Sequence, residues 1–96
     1  MEVDQVINLL RQFKNDNQVK YSIIKLGIFG SASQGKLHGK SDIDIVVELE
    51  KPDLFYIIGI KQDLEEQLHR SVDIVRYRHK MNKFLKQRIE TEAVYV

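Results

Sequence analysis

Near the amino end, Val3, Val6, Ile7, Leu10 and Phe13 recur at helical spacing with polar residues between them. That period predicts an amphipathic helix over roughly residues 2–15, ended by Asn15-Asp16-Asn17. The pattern then changes: residues 22–29 (SIIKLGIF) form a β-branched and aromatic run too short for a typical helix and closed by Gly30, which predicts a buried strand. After a loop rich in Gly and Ser, residues 42–49 (DIDIVVEL) alternate at first and then turn apolar. A strand with one end in solvent and the other in the core has that signature. Lys51-Pro52-Asp53 makes the next break and offers Asp53 as a helix cap. Leu54, Ile57, Ile60, Leu64 and Leu68 share one helical face through roughly residue 69, despite Gly59, which costs about 1 kcal/mol against Ala in an exposed helix interior. Residues 72–77 (VDIVRY) predict a third strand, and Met81, Phe84, Leu85 and Ile89 mark a last helix that runs into Ala93-Val94-Tyr95-Val96.

The order helix, strand, loop, strand, helix, strand, helix predicts a small α/β layer with helices packed on a short sheet, the strand pairing being left open by pattern alone. Ninety-six residues fit one domain over 1–96, and no repeat, linker or low-complexity stretch divides them. A hydrophobic share of 43% with 30% charged residues is that of a globular chain rather than a disordered tail. The formal charge of +1 gives no global field for nucleic acid or an anionic membrane, so any phosphate affinity is local. Absence of cysteine excludes disulfides and thiolate metal sites and makes the cytoplasm the expected compartment. The start Met1-Glu2-Val3-Asp4 lacks the character of a signal peptide, and no apolar segment approaches the roughly 20 residues of a membrane span.

The chemistry concentrates in Gly30-Ser31-Ala32-Ser33-Gln34-Gly35 and the residues that follow it. A strand ending in Gly-Ser aims backbone N–H groups and the Ser31 hydroxyl at an anion, because Gly30 places no Cβ in the way. A short helical turn over residues 31–35 would add partial positive charge at its amino end. Such loops are commonly plain turns; Asp42 and Asp44 alter the balance. In a strand, residues i and i+2 project to one face about 6.6 Å apart along the chain, so two carboxylates point the same way. Like charges at the start of a buried strand are unfavourable unless a cation neutralises them, and Mg²⁺ takes a few carboxylate oxygens together with water and substrate phosphates. Asp73, among Val72, Ile74 and Val75, is a third carboxylate; if its strand lies beside residues 42–49 it can join the pair, bind metal and accept a proton from an attacking hydroxyl. Taken singly, each aspartate also reads as a solvated strand end.

Gly30-Ser31, ten intervening residues, Asp42-x-Asp44 and a later apolar-Asp-apolar strand at Asp73 together resemble the nucleotidyltransferase superfamily of the DNA polymerase β type. Residues 26–35 (LGIFGSASQG), 41–47 (SDIDIVV) and 71–75 (SVDIV) are similar to its three signature segments in order and spacing, and Arg88-Ile89-Glu90 with Ala93-Val94-Tyr95 resembles the end of its minimal members. The resemblance implies a palm-like fold, a small mixed sheet of three to four strands with helices packed on it. It also implies that Gly30 and Ser31 hold the triphosphate of ATP, and that Asp42, Asp44 and Asp73 bind two Mg²⁺ ions and carry catalysis. Many minimal members carry Arg where this chain has Gln34, which leaves Gln34 and Lys40, with Lys36 beside them, as the remaining nucleotide-binding candidates. His38, alone among no other metal-type neighbours, reads as a bystander.

The minimal members that the chain resembles are commonly antitoxins paired with a small helical HEPN ribonuclease, which implies transfer of AMP from ATP to a tyrosine hydroxyl of that toxin. Duplex DNA binding is not expected, for want of room and of basic excess. Two rivals stand beside this reading. One is a small-molecule nucleotidyltransferase of the aminoglycoside-modifying kind, whose members usually carry an added substrate domain. The other is a non-catalytic binding module acting through Tyr95 and Val96 or the Phe55–Ile58 side of its helix. The intact aspartates favour an enzyme; base preference and homo-oligomer formation stay open.

Overall fold

The computed structural model describes residues 2–37 and 42–96. The first helix, α1 (Val3–Asn17), buries Val6, Leu10 and Phe13. It runs through the polar Asn15-Asp16-Asn17 because those side chains bond back along the helix: Gln12 donates to Asp16 at 3.0 Å, and the Asn17 amide donates to the Phe13 carbonyl at 3.1 Å. Strand β1 (Ile23–Phe29) follows, then a single 3₁₀ turn at Ala32–Gln34 and β2 (Ile43–Leu49). Helix α2 (Leu54–Leu68) starts at Asp53, whose carboxylate accepts from the Phe55 N–H at 2.8 Å, and stops where His69 turns left-handed at φ 54°. Strand β3 (Val72–Arg76) leads to α3 (Lys83–Glu92), capped by Asn82 accepting from the Leu85 N–H at 3.0 Å.

The last helix ends earlier than its periodicity predicts. Ala93 is extended, and Val94–Tyr95 form a fourth strand, β4, antiparallel to β1 with Gly27 opposite Tyr95 and Ile28 opposite Val94. The reversal is possible because Gly27 has no side chain: a Cβ there would come within 2.5 Å of the Val94 carbonyl. Pairing is completed by the Val96 N–H donating to the Leu26 carbonyl at 2.9 Å.

The sheet order is β3-β2-β1-β4. Strand β2 is antiparallel to β1 and parallel to β3, which it reaches through α2, so the sheet is mixed as expected. Alternation divides its two faces. Leu26, Ile28, Ile43, Ile45, Val47 and Val72 join the side chains of α1 and α2 in the larger core. Phe29 and Val46 pack on the other face with Ile89 of α3, and Val75, Tyr77 and Leu85 close around them. Asp44 is two residues from Val46 and Asp73 two from Val75, which places both carboxylates on the α3 face. Gly59 of α2 leaves space for the Tyr21 ring, whose hydroxyl donates to Asp63 at 2.6 Å. Among the described residues no helix is long and apolar enough to cross a membrane.

Candidate active site

The site forms where β1 ends beside β2. Gly30 takes φ +70°, a conformation that side chains disfavour. The chain then turns through Ala32–Gln34 and is closed by Gly35 at φ +76°. Hydrogen bonds within the turn hold it: the Ser33 hydroxyl donates to the Gly30 carbonyl at 2.7 Å, and the Lys36 N–H donates to the Ser31 carbonyl at 2.9 Å. The half-buried Ser31 caps the turn with its backbone and makes no capping bond through its hydroxyl.

Opposite this loop, Phe29 of β1 pairs with Asp44 of β2, and Asp44 pairs in turn with Asp73 of β3. The condition set by the sequence, that Asp73 lie beside the Asp-x-Asp strand, is therefore met. Asp44 is half-buried; Asp73 and Asp42, which immediately precedes β2, are exposed. The carboxyl of Asp44 is held above the usual carboxylate range, first by burial and then by the negative charge of Asp73; Arg88 opposes the shift, and Asp42 and Glu92 add to it. Gly30 lies directly over this carboxylate, and a Cβ on it would overlap Asp44 Oδ2.

Two residues of α3 complete the surroundings, and sequence reasoning missed both as site residues. Arg88 Nε lies 3.4 Å from Glu92 Oε2, and its guanidinium carbon sits 5.7 Å from the centre of the Phe29 ring. Arg88 Nη2 is 3.5 Å from the point where a Gly30 Cβ would stand. Glu92 Oε1 accepts from the Gln34 amide at 3.2 Å, while its Oε2 is buried without a hydrogen-bond partner. The signal was the i, i+4 spacing of Arg88 and Glu92, but such pairs are common on exposed helices. Gln34 thus faces α3 through Glu92, and Lys36 is exposed. The candidates Lys40 and His38 lie outside the described residues. Beside the site, Phe84, Gln87, Arg88, Thr91 and Glu92 line a depression of about 420 Å³.

Among the described residues no group of three or more His, Asp or Glu side chains is gathered closely enough to hold a metal ion. What the strand register supplies is a pair of adjacent carboxylates, of which Asp44 is disfavoured in its ionised form and lies under Gly30, while Asp73 is exposed beside it. Such a pair suits a cation that takes only a few protein oxygens and draws the rest of its shell from water and phosphates.

The chain is similar to several known proteins. A Methanocaldococcus jannaschii protein provisionally named a protein adenylyltransferase is 33% identical over 95 residues, which cover 98% of this chain and 97% of that one. A crystal structure of a toxin–antitoxin pair with AMP-PNP holds a chain 31% identical, with a TM-score of 0.72, covering 99% of this chain and 72% of that one. The tri-AMPylated HEPN toxin of Shewanella oneidensis in complex with MNT antitoxin gives 28% identity and a TM-score of 0.63, covering 97% of this chain and 66% of that one. The family profile described as Polymerase beta, Nucleotidyltransferase matches residues 5–96, nearly the whole length over which the fold and its paired aspartates extend, and the protein belongs to this family of nucleotidyltransferases.

Proposed function

We propose that the protein is the antitoxin of a toxin–antitoxin pair and transfers AMP from ATP to a tyrosine hydroxyl of a small helical HEPN ribonuclease. The observation that carries the chemistry is the side-by-side register of Asp44 and Asp73, with Gly30 over the Asp44 carboxylate. The similarity to chains from a complex with AMP-PNP and from one with a tri-AMPylated HEPN toxin supports the choice of nucleotide and acceptor. In this reading Gly30, Ser31, Gln34 and Lys40 bind the nucleotide, the first two because an open main chain and a hydroxyl not used in capping suit phosphate oxygens.

The adjacent Asp44 and Asp73, with Asp42 at the entrance to β2 as the third carboxylate of this reading, would hold Mg²⁺, because burial first and then the charge of Asp73 raise the carboxyl of Asp44 and a divalent cation opposes that shift. When bound, Mg²⁺ supplies charge neutralisation at the α-phosphate and at the departing pyrophosphate. Asp73, exposed and opposite Asp44, takes the proton of the acceptor hydroxyl. The acceptor oxygen bonds to the α-phosphorus as the bond from that phosphorus to the α–β bridging oxygen breaks, and pyrophosphate leaves past Ser31.

The test is incubation of the protein with Mg²⁺, ATP labelled at the α-phosphate and the partner toxin. Label reaches a tyrosine of the toxin with the wild type and not with Asp44→Asn or Asp73→Asn. Inhibition of the toxin with no transfer from any of the four nucleoside triphosphates would establish a binding module instead.

A further inference from the structure

The loop over residues 30–35 (GSASQG) contains no basic side chain of its own. The geometry points to a cation from a different element: we propose that Arg88 of α3 binds the β- and γ-phosphates of the nucleoside triphosphate above Gly30, and that Glu92 positions it. The inference rests on the reading that a nucleoside triphosphate is the substrate.

Location is the first argument. Arg88 Nη2 and the Asp44 carboxylate both border the space a Gly30 Cβ would fill, so the guanidinium stands beside the opening that Gly30 leaves over that carboxylate. Orientation is the second. The guanidinium carbon stands 5.7 Å from the centre of the Phe29 ring and Nε 3.4 Å from Glu92 Oε2, which leaves the two Nη nitrogens on the side away from that contact, and Nη2 borders the opening over Gly30. A planar fork with paired donors suits two phosphate oxygens.

Glu92 supplies the third argument. It accepts from Gln34 on one oxygen and faces Arg88 with the other, which is buried and takes no hydrogen bond. The residue therefore ties the phosphate loop to α3 and fixes where Arg88 stands. A half-exposed ion pair of this kind contributes roughly 0–1 kcal/mol to stability, too little to account for a buried oxygen lacking a hydrogen bond. A triphosphate entering among Asp42, Asp44, Asp73 and Glu92 requires positive charge, and Arg88 is placed to provide it.

The experiment measures displacement of a fluorescent ATP analogue by ATP and by AMP, in Mg²⁺, for the wild type, Arg88→Met, Arg88→Lys and Glu92→Gln. Methionine keeps an apolar stem over Phe29, and melting curves confirm that each variant is folded. Arg88→Met weakens ATP binding about tenfold or more, as loss of a charge-assisted pair requires, and leaves AMP within about twofold. Arg88→Lys recovers part of the loss, and Glu92→Gln shows a smaller loss with the same preference for ATP over AMP. Equal weakening of ATP and AMP, or ATP binding unchanged in Arg88→Met, overturns the assignment. Wild-type protein that binds ATP through Arg88 yet labels no toxin refutes the transfer reading and leaves this one standing; wild-type protein that binds no nucleoside triphosphate refutes both.

Discussion

Replacing Gly30 with Ala tests the site at its most constrained point, because two separable penalties meet there. The backbone φ of +70° costs a non-glycine residue about 1–2 kcal/mol. In a domain of this size each kcal/mol lowers Tm by about 4–8 °C. The second penalty is steric, since the new methyl overlaps Asp44 Oδ2 and, among the described residues, stands 3.4 Å or less from no other group except the Asp44 carboxyl carbon, at 3.3 Å. The carboxylate must therefore move by something near 1 Å, and displacement on that scale lowers catalysis about 100-fold. Gly35→Ala separates the two effects: φ is +76°, but among the described residues a Cβ there meets nothing within 4 Å. Both variants should melt lower, while only Gly30→Ala loses transfer out of proportion to stability. The assay is kcat/KM for nucleotide transfer beside a melting curve. Gly30→Ala with kcat/KM within about threefold of wild type, or Gly35→Ala losing as much, refutes the assignment of a strictly positioned Asp44.

Other perturbations reach different parts of the molecule. Gly59→Ala gains about 1 kcal/mol of helix propensity, but its methyl lies 2.8 Å from Tyr21 Cε1 and Oη, so a net loss of about 1–2 kcal/mol is expected in urea unfolding; a Tyr21→Ala background reverses the sign. Asp44→Asn abolishes transfer and, measured in EDTA at pH 7, leaves stability equal or higher. The folded carboxyl of Asp44 is raised, so its favourable contribution is present below the ordinary carboxylate pKa and is lost as pH rises through the folded value; marked destabilisation by Asn contradicts this. Burial, and after it the hydrogen bond to Asp63, pushes the Tyr21 phenol up to about 12. Its stabilising effect is complete below pH 10 and lost between about 10 and 12, and absorbance titration should show a tyrosine ionising near pH 12 whose ionisation moves earlier in Asp63→Asn.

The helices and the three longer strands were legible because each repeats a period for several residues. β4 was not: Val94–Tyr95 spans two residues, too few for a period, and continues the spacing begun by Met81, Phe84 and Leu85. That spacing was itself partly misleading, as Phe84 is 78% exposed and belongs to no core. Gly59 was visible only as a cost, since its reason is a tyrosine 38 positions earlier that is brought near by the fold. The aspartates and the Gly-Ser turn were readable from residue type and spacing, whereas their contact depended on strand order, which apolar patterns do not specify. Arg88 and Glu92 were hidden for the same reason: a helical ion pair gives no indication of the strand end above which it sits.

The parallel pairing of β2 with β3 makes strand phase, not chain length, the quantity on which the chemistry depends. Residues 50–71 connect the two strands and can lengthen or shorten at their turns without changing which side chains meet. A single residue inserted within β3 is different: it sets Val72 or Ile74 beside Asp44 and sends Asp73 through the sheet into the apolar layer under α1 and α2. Fold and activity should therefore fail together for odd shifts in that strand, because the same alternation that buries Val72 and Ile45 exposes the acid between their rows. The hydrophobic core thus acts as the gauge that holds the two carboxylates in step.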